Sequence, residues 1–288
     1  MRFTIFKDIT RLEHSLFGLP IVLAGALLAL RKYPPLTVEA WLPILWIFPA
    51  FFAARISGMA FNQLIDRKID AKNPRTQNRA LPSQKIDASQ VLSIAFLSLF
   101  SFLLICFQIN PLCFYCSLGA AVLIGGYSYM KRIHASSHFI LGLIHLCGPV
   151  MAWITVTGSL SWTPIFLGGA AFFVIAAEDI VYAIQDIEFD RMHRLHSIPA
   201  RFGVKKSLWI SRFSHFSSLV MLFLLGWITP LSLPYFLIIP FLGALFFLSH
   251  RKISKTPLEP LFFWNNVIFS FATLMAVLVG ILPFFTGS

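Results

Sequence analysis

Apolar residues run along this chain in long blocks of about one membrane thickness, separated by short connections that are polar and mostly basic. Nine such blocks stand out, at 14–31, 40–60, 90–109, 112–130, 138–158, 162–182, 208–229, 233–250 and 261–284. A helix of about 20 apolar residues spans a bilayer, so each block predicts a transmembrane helix. Pro20 interrupts the first block, and Pro234 and Pro240 shorten the eighth. Proline is tolerated in membrane helices where neighbours satisfy the freed backbone groups. The expected architecture is all-α: a polytopic membrane protein with nine helices in a bundle, forming one membrane-embedded domain over 1–288.

Composition agrees. Hydrophobic residues make up 57% of the chain and charged residues 12%, with a mean hydropathy of +0.77. A soluble domain carries about 25% charged residues. Basic residues cluster at the N-terminus (Arg2, Lys7, Arg11) and in the connections after the second, fourth, sixth and eighth blocks. Only Arg31 and Lys32 fall on the other side. With nine helices, every basic connection shares the N-terminal face, which the positive-inside rule makes cytoplasmic. The C-terminus is then outside, and the expected location is a bacterial inner membrane. The net charge of +11 is thereby explained by topology, and no nucleic-acid partner is needed. No cleavable signal or transit peptide is expected, because the first apolar block leads into a polytopic chain. Cys113 and Cys116 have C-x-x-C spacing but no second ligand pair. The four cysteines are therefore expected to be small buried hydrophobes.

Against this apolar background the carboxylates are informative. Six of the twelve acidic residues lie in two stretches, Asn62-Gln-Leu-Ile-Asp66-Arg-Lys-Ile-Asp70 and Asp179 to Asp190. Both stretches follow an even-numbered helix on the basic face. Aligning Asp66 with Asp186 and Asp70 with Asp190 suggests a weak parallel internal repeat of four helices. Arg55, Asn62, Asp66 and Asp70 are spaced by 7, 4 and 4 residues, and Asp179, Tyr182, Asp186 and Asp190 by 3, 4 and 4. Residues so spaced share one helix face. Each stripe then runs from the hydrocarbon to the cytoplasmic mouth, where ionisable groups mark a site by default. A single aspartate could simply pair with a local arginine at the interface. Two matched pairs, each with a polar stripe leading inward, point instead to bridging cations. Hard oxygen ligands favour Mg2+, which binds one or two carboxylates together with substrate phosphates. Nearby basic residues (Arg67, Lys68, Arg75, Arg79, Lys131, Arg132, Arg191, Arg194) would meet the remaining phosphate oxygens, although most of them could serve topology alone. A diphosphate beside an apolar central cavity suggests an isoprenoid tail, and the 31 phenylalanines could face an allylic cation.

These residues resemble the UbiA superfamily of intramembrane prenyltransferases over essentially the whole chain. The family's first motif is commonly N-D-x-x-D-x-x-x-D followed by R-T-x-x-R. Here it reads Asn62, Gln63, Asp66, Asp70, then Arg75-Thr76-Gln77-Asn78-Arg79. The second, D-x-x-Y-A-x-x-D-x-x-x-D, is matched by Asp179, Tyr182, Ala183, Asp186 and Asp190, and Tyr127 to Arg132 is similar to the family's Y-x-x-x-K-R. The resemblance is nearest to the 4-hydroxybenzoate polyprenyltransferase group. It implies Mg2+-dependent transfer of a polyprenyl group from its diphosphate to an aromatic acid, in ubiquinone or menaquinone biosynthesis. By the same resemblance, Asn62, Asp66, Asp186 and Asp190 would hold the metal with Asp70 in support. Lys131, Arg75, Arg79, Arg132 and His196 would contact diphosphate. Arg55, Asp179 and Tyr182 would meet the aromatic acceptor. For Arg55 the alternatives are an ion pair with Asp179 or a lipid headgroup.

Two departures stand out. Gln63 replaces the usual first aspartate, and Arg194-Leu195-His196-Ser197 stands where many members carry G-x-K-S. They leave open a menaquinone branch acting on 1,4-dihydroxy-6-naphthoate, an aromatic carboxylate that Arg55 would serve equally. A transporter is the main non-enzyme alternative, but the acidic pairs lie at one face rather than at the midplane. A haem protein would use His14, His145, His215 or His250.

Overall fold

The computed structural model describes residues 3–33 and 38–286. Arg2, counted above with the N-terminal basic residues, lies outside them. The helices are α1 (Phe3–Thr10), α2 (Ser15–Leu30), α3 (Val38–Asp70), α4 (Ala88–Ile109), α5 (Pro111–Ile133), α6 (Ser137–Thr157), α7 (Trp162–Tyr182), α8 (Ile187–Met192), α9 (Ile198–Ile228), α10 (Ile238–Lys252) and α11 (Leu258–Thr286). Among the described residues, nine segments are long and apolar enough to cross a membrane, and there is no strand. They match the nine blocks one for one.

The differences lie at the ends of helices. The second block, expected over 40–60, continues without a break to Asp70 in the 33-residue α3. At 1.5 Å per residue α3 is about 50 Å long, well beyond a hydrocarbon core of about 30 Å. Its last turns therefore rise past the apolar layer and carry Asn62, Asp66 and Asp70 with them. The eighth block resolves into a 3-10 turn, Leu233–Leu237, leading into α10. Pro240 falls in the first turn of α10, where a missing N–H costs no hydrogen bond. The seventh block starts ten residues early, at Ile198 instead of 208. Ser197 caps that start by accepting from the Ala200 N–H at 3.2 Å. Gly203, at φ 76°, then bends α9 between its interfacial hook and its membrane span.

α7 is the central helix, packed on α6 and α9. Small residues (Gly168, Gly169, Ala170, Ala171, Ala176, Ala177) bury its faces, as close helix approach in a membrane requires. At Gly142 of α6 a Cβ would lie 2.5 Å from the Phe172 carbonyl oxygen of α7, so only glycine fits this crossing. Polar ties inside the bundle are few and specific. Asn265 of α11 donates to Glu178 of α7 at 2.9 Å and accepts from Ser249 of α10 at 2.9 Å. Tyr235 is fully buried and donates to the Leu222 carbonyl at 2.8 Å. At the opposite end of the bundle from the acidic turns, Arg31 donates to the Thr229 carbonyl.

Candidate active site

The two acidic turns meet at one end of the bundle, but they are not built alike. α3 presents its stripe on an unbroken helix. α7 stops at Tyr182, and the chain passes through a 3-10 turn, Ala183–Asp186, into the short α8. Asp179, Tyr182, Asp186 and Asp190 therefore do not share one face of a continuous helix, as their spacing predicted. A 3-10 turn takes 3.0 residues instead of 3.6, which rotates Asp186 and Asp190 relative to Asp179. The two turns thus show no common local geometry of the kind the expected internal repeat would give.

On the α3 side, the Asn62 amide nitrogen donates to Asp66 Oδ2 at 3.1 Å and to Ser128 Oγ of α5 at 3.0 Å. Its carbonyl oxygen makes no hydrogen bond among the described residues. Arg132 of α5 donates to Asp66 Oδ1 at 2.9 Å and to the Ile65 and Ser128 carbonyls, each at 2.9 Å. Its guanidinium is thus a tie between α3 and α5. Arg79 pairs with Asp70 at 2.9 Å. On the α7–α8 side, Arg75 grips Asp186 at 2.6 Å and 3.1 Å and donates to the Tyr182 hydroxyl at 2.8 Å. Burial works to lower the Arg75 pKa, but its hydrogen bond to Asp186 and the charges of Tyr182, Asp186 and Asp70 raise it above the ordinary value. Asn73 also donates to Asp186, at 3.1 Å. Asp190 is buried close to Ser197 at the start of α9.

Arginine pairing, the interfacial alternative, is thus present, but on a buried cluster rather than a solvated face: Asp66 is 5% and Asp70 8% exposed. Among the described residues Lys131 forms no ion pair, and its charge acts on both Asp66 and Asp190. Among the described residues, no three His, Cys, Asp or Glu side chains converge closely enough to hold an ion on their own. Oxygens arranged in pairs suit Mg2+, which keeps water and phosphate ligands.

Below the mouth lies an apolar cavity, part of it open. Its wall includes Phe51, Ala54, Met59, Phe102 and Ile144, and its polar groups at the upper end are Arg55, Tyr127 and His145. Arg55 is not paired with Asp179. It donates to the Arg11 carbonyl at 3.2 Å, its Nε is buried without a partner, and among the described residues no carboxylate lies within ion-pair distance of it. Asp179 instead bonds His138 Nδ1 at 2.7 Å. The backbone N–H of Ile198 donates to His138 Nε2 at 3.3 Å. That fixes the tautomer: Nε2 accepts, so Nδ1 carries the proton and donates to the carboxylate.

Both departures have structural reasons. Gln63 does not face the mouth; it donates to the Asp8 and Ile9 carbonyls at 2.8 Å and 3.1 Å, capping the end of α1. Arg194 sits at φ 54°, the left-handed region that favours glycine. His196 is exposed, and its backbone N–H donates to the Lys131 carbonyl at 2.6 Å. The spacing argument missed Asn73, Ser128 and His138, because each reaches the site from another element. The cysteines are free; Cys106 and Cys113 are buried, as expected, whereas Cys116 and Cys147 are only partly so. His215 and His250 meet nitrogen to nitrogen at 3.2 Å, which leaves no room for haem iron between them.

Fold and site together define an α-helical membrane enzyme with an acidic, phosphate-suited mouth over an apolar chamber. Residues 18–267 match the model of the UbiA prenyltransferase family, and the chain belongs to that family. The 4-hydroxybenzoate octaprenyltransferase of Tolumonas auensis is 28% identical over 226 residues, covering 77% of this chain and 79% of that protein. The apo structure of a UbiA homolog from Aeropyrum pernix K1 matches with a TM-score of 0.80 at 24% identity, over 94% of this chain and 97% of that one. A UbiA homolog from Archaeoglobus fulgidus, solved with GPP and Mg2+ bound, matches with a TM-score of 0.68 at 19% identity, over 94% and 99% of the two chains.

Proposed function

We propose that this enzyme is an aromatic prenyltransferase of quinone biosynthesis that transfers a polyprenyl group from its diphosphate to 4-hydroxybenzoate. The observation that carries the acceptor class is Arg55, a buried guanidinium with no carboxylate partner at the upper end of the apolar cavity. A buried charge is costly unless paired, and an aromatic carboxylate supplies the missing partner. Asn62, Asp66, Asp70, Asp186 and Asp190 would hold Mg2+, and their all-oxygen donor set, with the Asn62 carbonyl unused, suits it. When bound, the metal neutralises the charge of the departing diphosphate. Lys131 binds a phosphate oxygen from between the two motifs. Arg75 and Arg79 exchange part of their pairing with Asp186 and Asp70 for phosphate, with His196 at the rim. Tyr182, tilted against Phe262 with ring centroids 5.1 Å apart, closes the acceptor side, and Asp179, held by His138, orients the ring hydroxyl. The prenyl tail lies in the cavity, away from water. The basic loops place the mouth on the cytoplasmic side of the inner membrane.

The test uses membranes carrying the protein, Mg2+, a labelled polyprenyl diphosphate and either 4-hydroxybenzoate or 1,4-dihydroxy-6-naphthoate. Prenylated 4-hydroxybenzoate and released diphosphate are expected, and Asp186→Ala is expected to lower turnover at least 100-fold with insertion intact. Faster turnover of the naphthoate would reassign the acceptor. No turnover of either would refute the proposal.

A further inference from the structure

One ionisable group in the chamber has no part in the reading above. His145 of α6 lies at the polar end of the cavity with Arg55 and Tyr127. Its Nδ1 is 3.0 Å from the Leu141 carbonyl oxygen. A carbonyl can only accept, so Nδ1 carries the proton and Nε2 of the neutral ring is a bare lone pair. Nε2 has no hydrogen-bond partner among the described residues. The ring is partly accessible although it lies mid-bundle on a membrane helix, and the space it borders is the cavity. The charges acting on it are those of Arg55 and Asp179. It is therefore a base whose tautomer is set by backbone and whose free lone pair borders the cavity that the acceptor would enter.

Prenylation of an aromatic ring releases a proton, and among the described residues at the polar end of the chamber none but His145 is placed to take it. Tyr127 is a weak base, Arg55 is a permanent cation, and Asp179 is already bonded to His138. We infer that His145 Nε2 is the catalytic base that removes the proton from the ring carbon being alkylated. In that step the ring carbon bonds C1 of the prenyl group. The bond from C1 to the diphosphate oxygen breaks, with its electron pair leaving on diphosphate. The C–H pair then returns to the ring as the proton passes to Nε2. An acceptor carboxylate on Arg55 neutralises the one cation that would oppose protonation of His145. This inference rests on the proposed acceptor chemistry.

The test compares wild type, His145→Gln and His145→Ala with geranyl diphosphate, Mg2+ and 4-hydroxybenzoate, unlabelled or deuterated ortho to the hydroxyl. Glutamine can still donate to the Leu141 carbonyl but is not a base. A positioned general base contributes about 10²–10⁴-fold, so kcat should fall by that range with the acceptor KM within about threefold. Proton loss would then limit turnover, and a deuterium effect near 1 in wild type should rise above about 2 in His145→Gln. Added imidazole should restore part of the His145→Ala rate. A wild-type-like kcat, or a low kcat with no isotope effect and no imidazole rescue, would overturn the role of His145. Absence of wild-type turnover would instead strike the acceptor assignment, so the two failures are distinguishable.

Discussion

Arg55→Met separates the proposed carboxylate acceptor from every other use of a buried guanidinium. Methionine keeps much of the aliphatic stem and removes the charge. The folded enzyme loses one hydrogen bond, to the Arg11 carbonyl at 3.2 Å, which costs about 1 kcal/mol. No carboxylate of the protein is orphaned, because none pairs with Arg55, so the fold should survive. The bound acceptor loses far more. Removing one partner of a buried charge pair costs about 3–5 kcal/mol, or roughly 200- to 4000-fold in kcat/KM. That loss should be specific to the charge. The assay is prenylation of 4-hydroxybenzoate and of its neutral amide, at saturating Mg2+ and prenyl diphosphate. Wild type should prefer the acid, and Arg55→Met should lose that preference by the same factor while its rate on the amide changes less than about tenfold. A variant that still prefers the acid as strongly as wild type does would refute the role assigned to Arg55.

Two further substitutions test the departures from the family pattern. Gln63→Glu replaces the amide donor on the Asp8 and Ile9 carbonyls with a group that, ionised, only accepts. It should destabilise the protein by about 1–3 kcal/mol in detergent unfolding without raising Mg2+ affinity; a gain in metal affinity would show that position 63 faces the mouth after all. Arg194 holds a left-handed backbone that costs an L-residue about 1–2 kcal/mol. Arg194→Gly should therefore unfold at a higher temperature than Arg194→Ala, the reverse of the order at an ordinary helical site, and equal or opposite ranking would remove the strain.

The membrane spans were legible because hydrocarbon imposes its rule locally. Each segment must satisfy its own backbone and present apolar side chains, so α4, α5, α6 and α7 begin and end within three residues of their predicted bounds. The helix ends outside the apolar layer were less legible, since water relaxes that rule there. α3 ran on to Asp70, α9 began early, and α7 broke before Asp186. The site was half legible. Asn62 and Asp66 touch as their i, i+4 spacing required. The link from Arg75 to Asp186 spans 111 residues, and no periodicity encodes it.

By itself, then, the sequence determined that the chain crosses a membrane, that its acidic residues gather on two turns at one face, and which family those turns belong to. The first two follow from composition and spacing within single segments, and the third from the likeness of the two motifs to those of the family. Tertiary structure alone decided which way each side chain spends its hydrogen bonds. It turned Gln63 onto α1 and Arg132 inward onto α3, and among the described residues it left Arg55 without an ion-pair partner. It also fixed the tautomers of His138 and His145, through a backbone N–H in one case and a backbone carbonyl in the other. The physical reason is that a buried polar atom must find a partner wherever packing supplies one, and packing in this bundle joins helices that lie far apart in sequence.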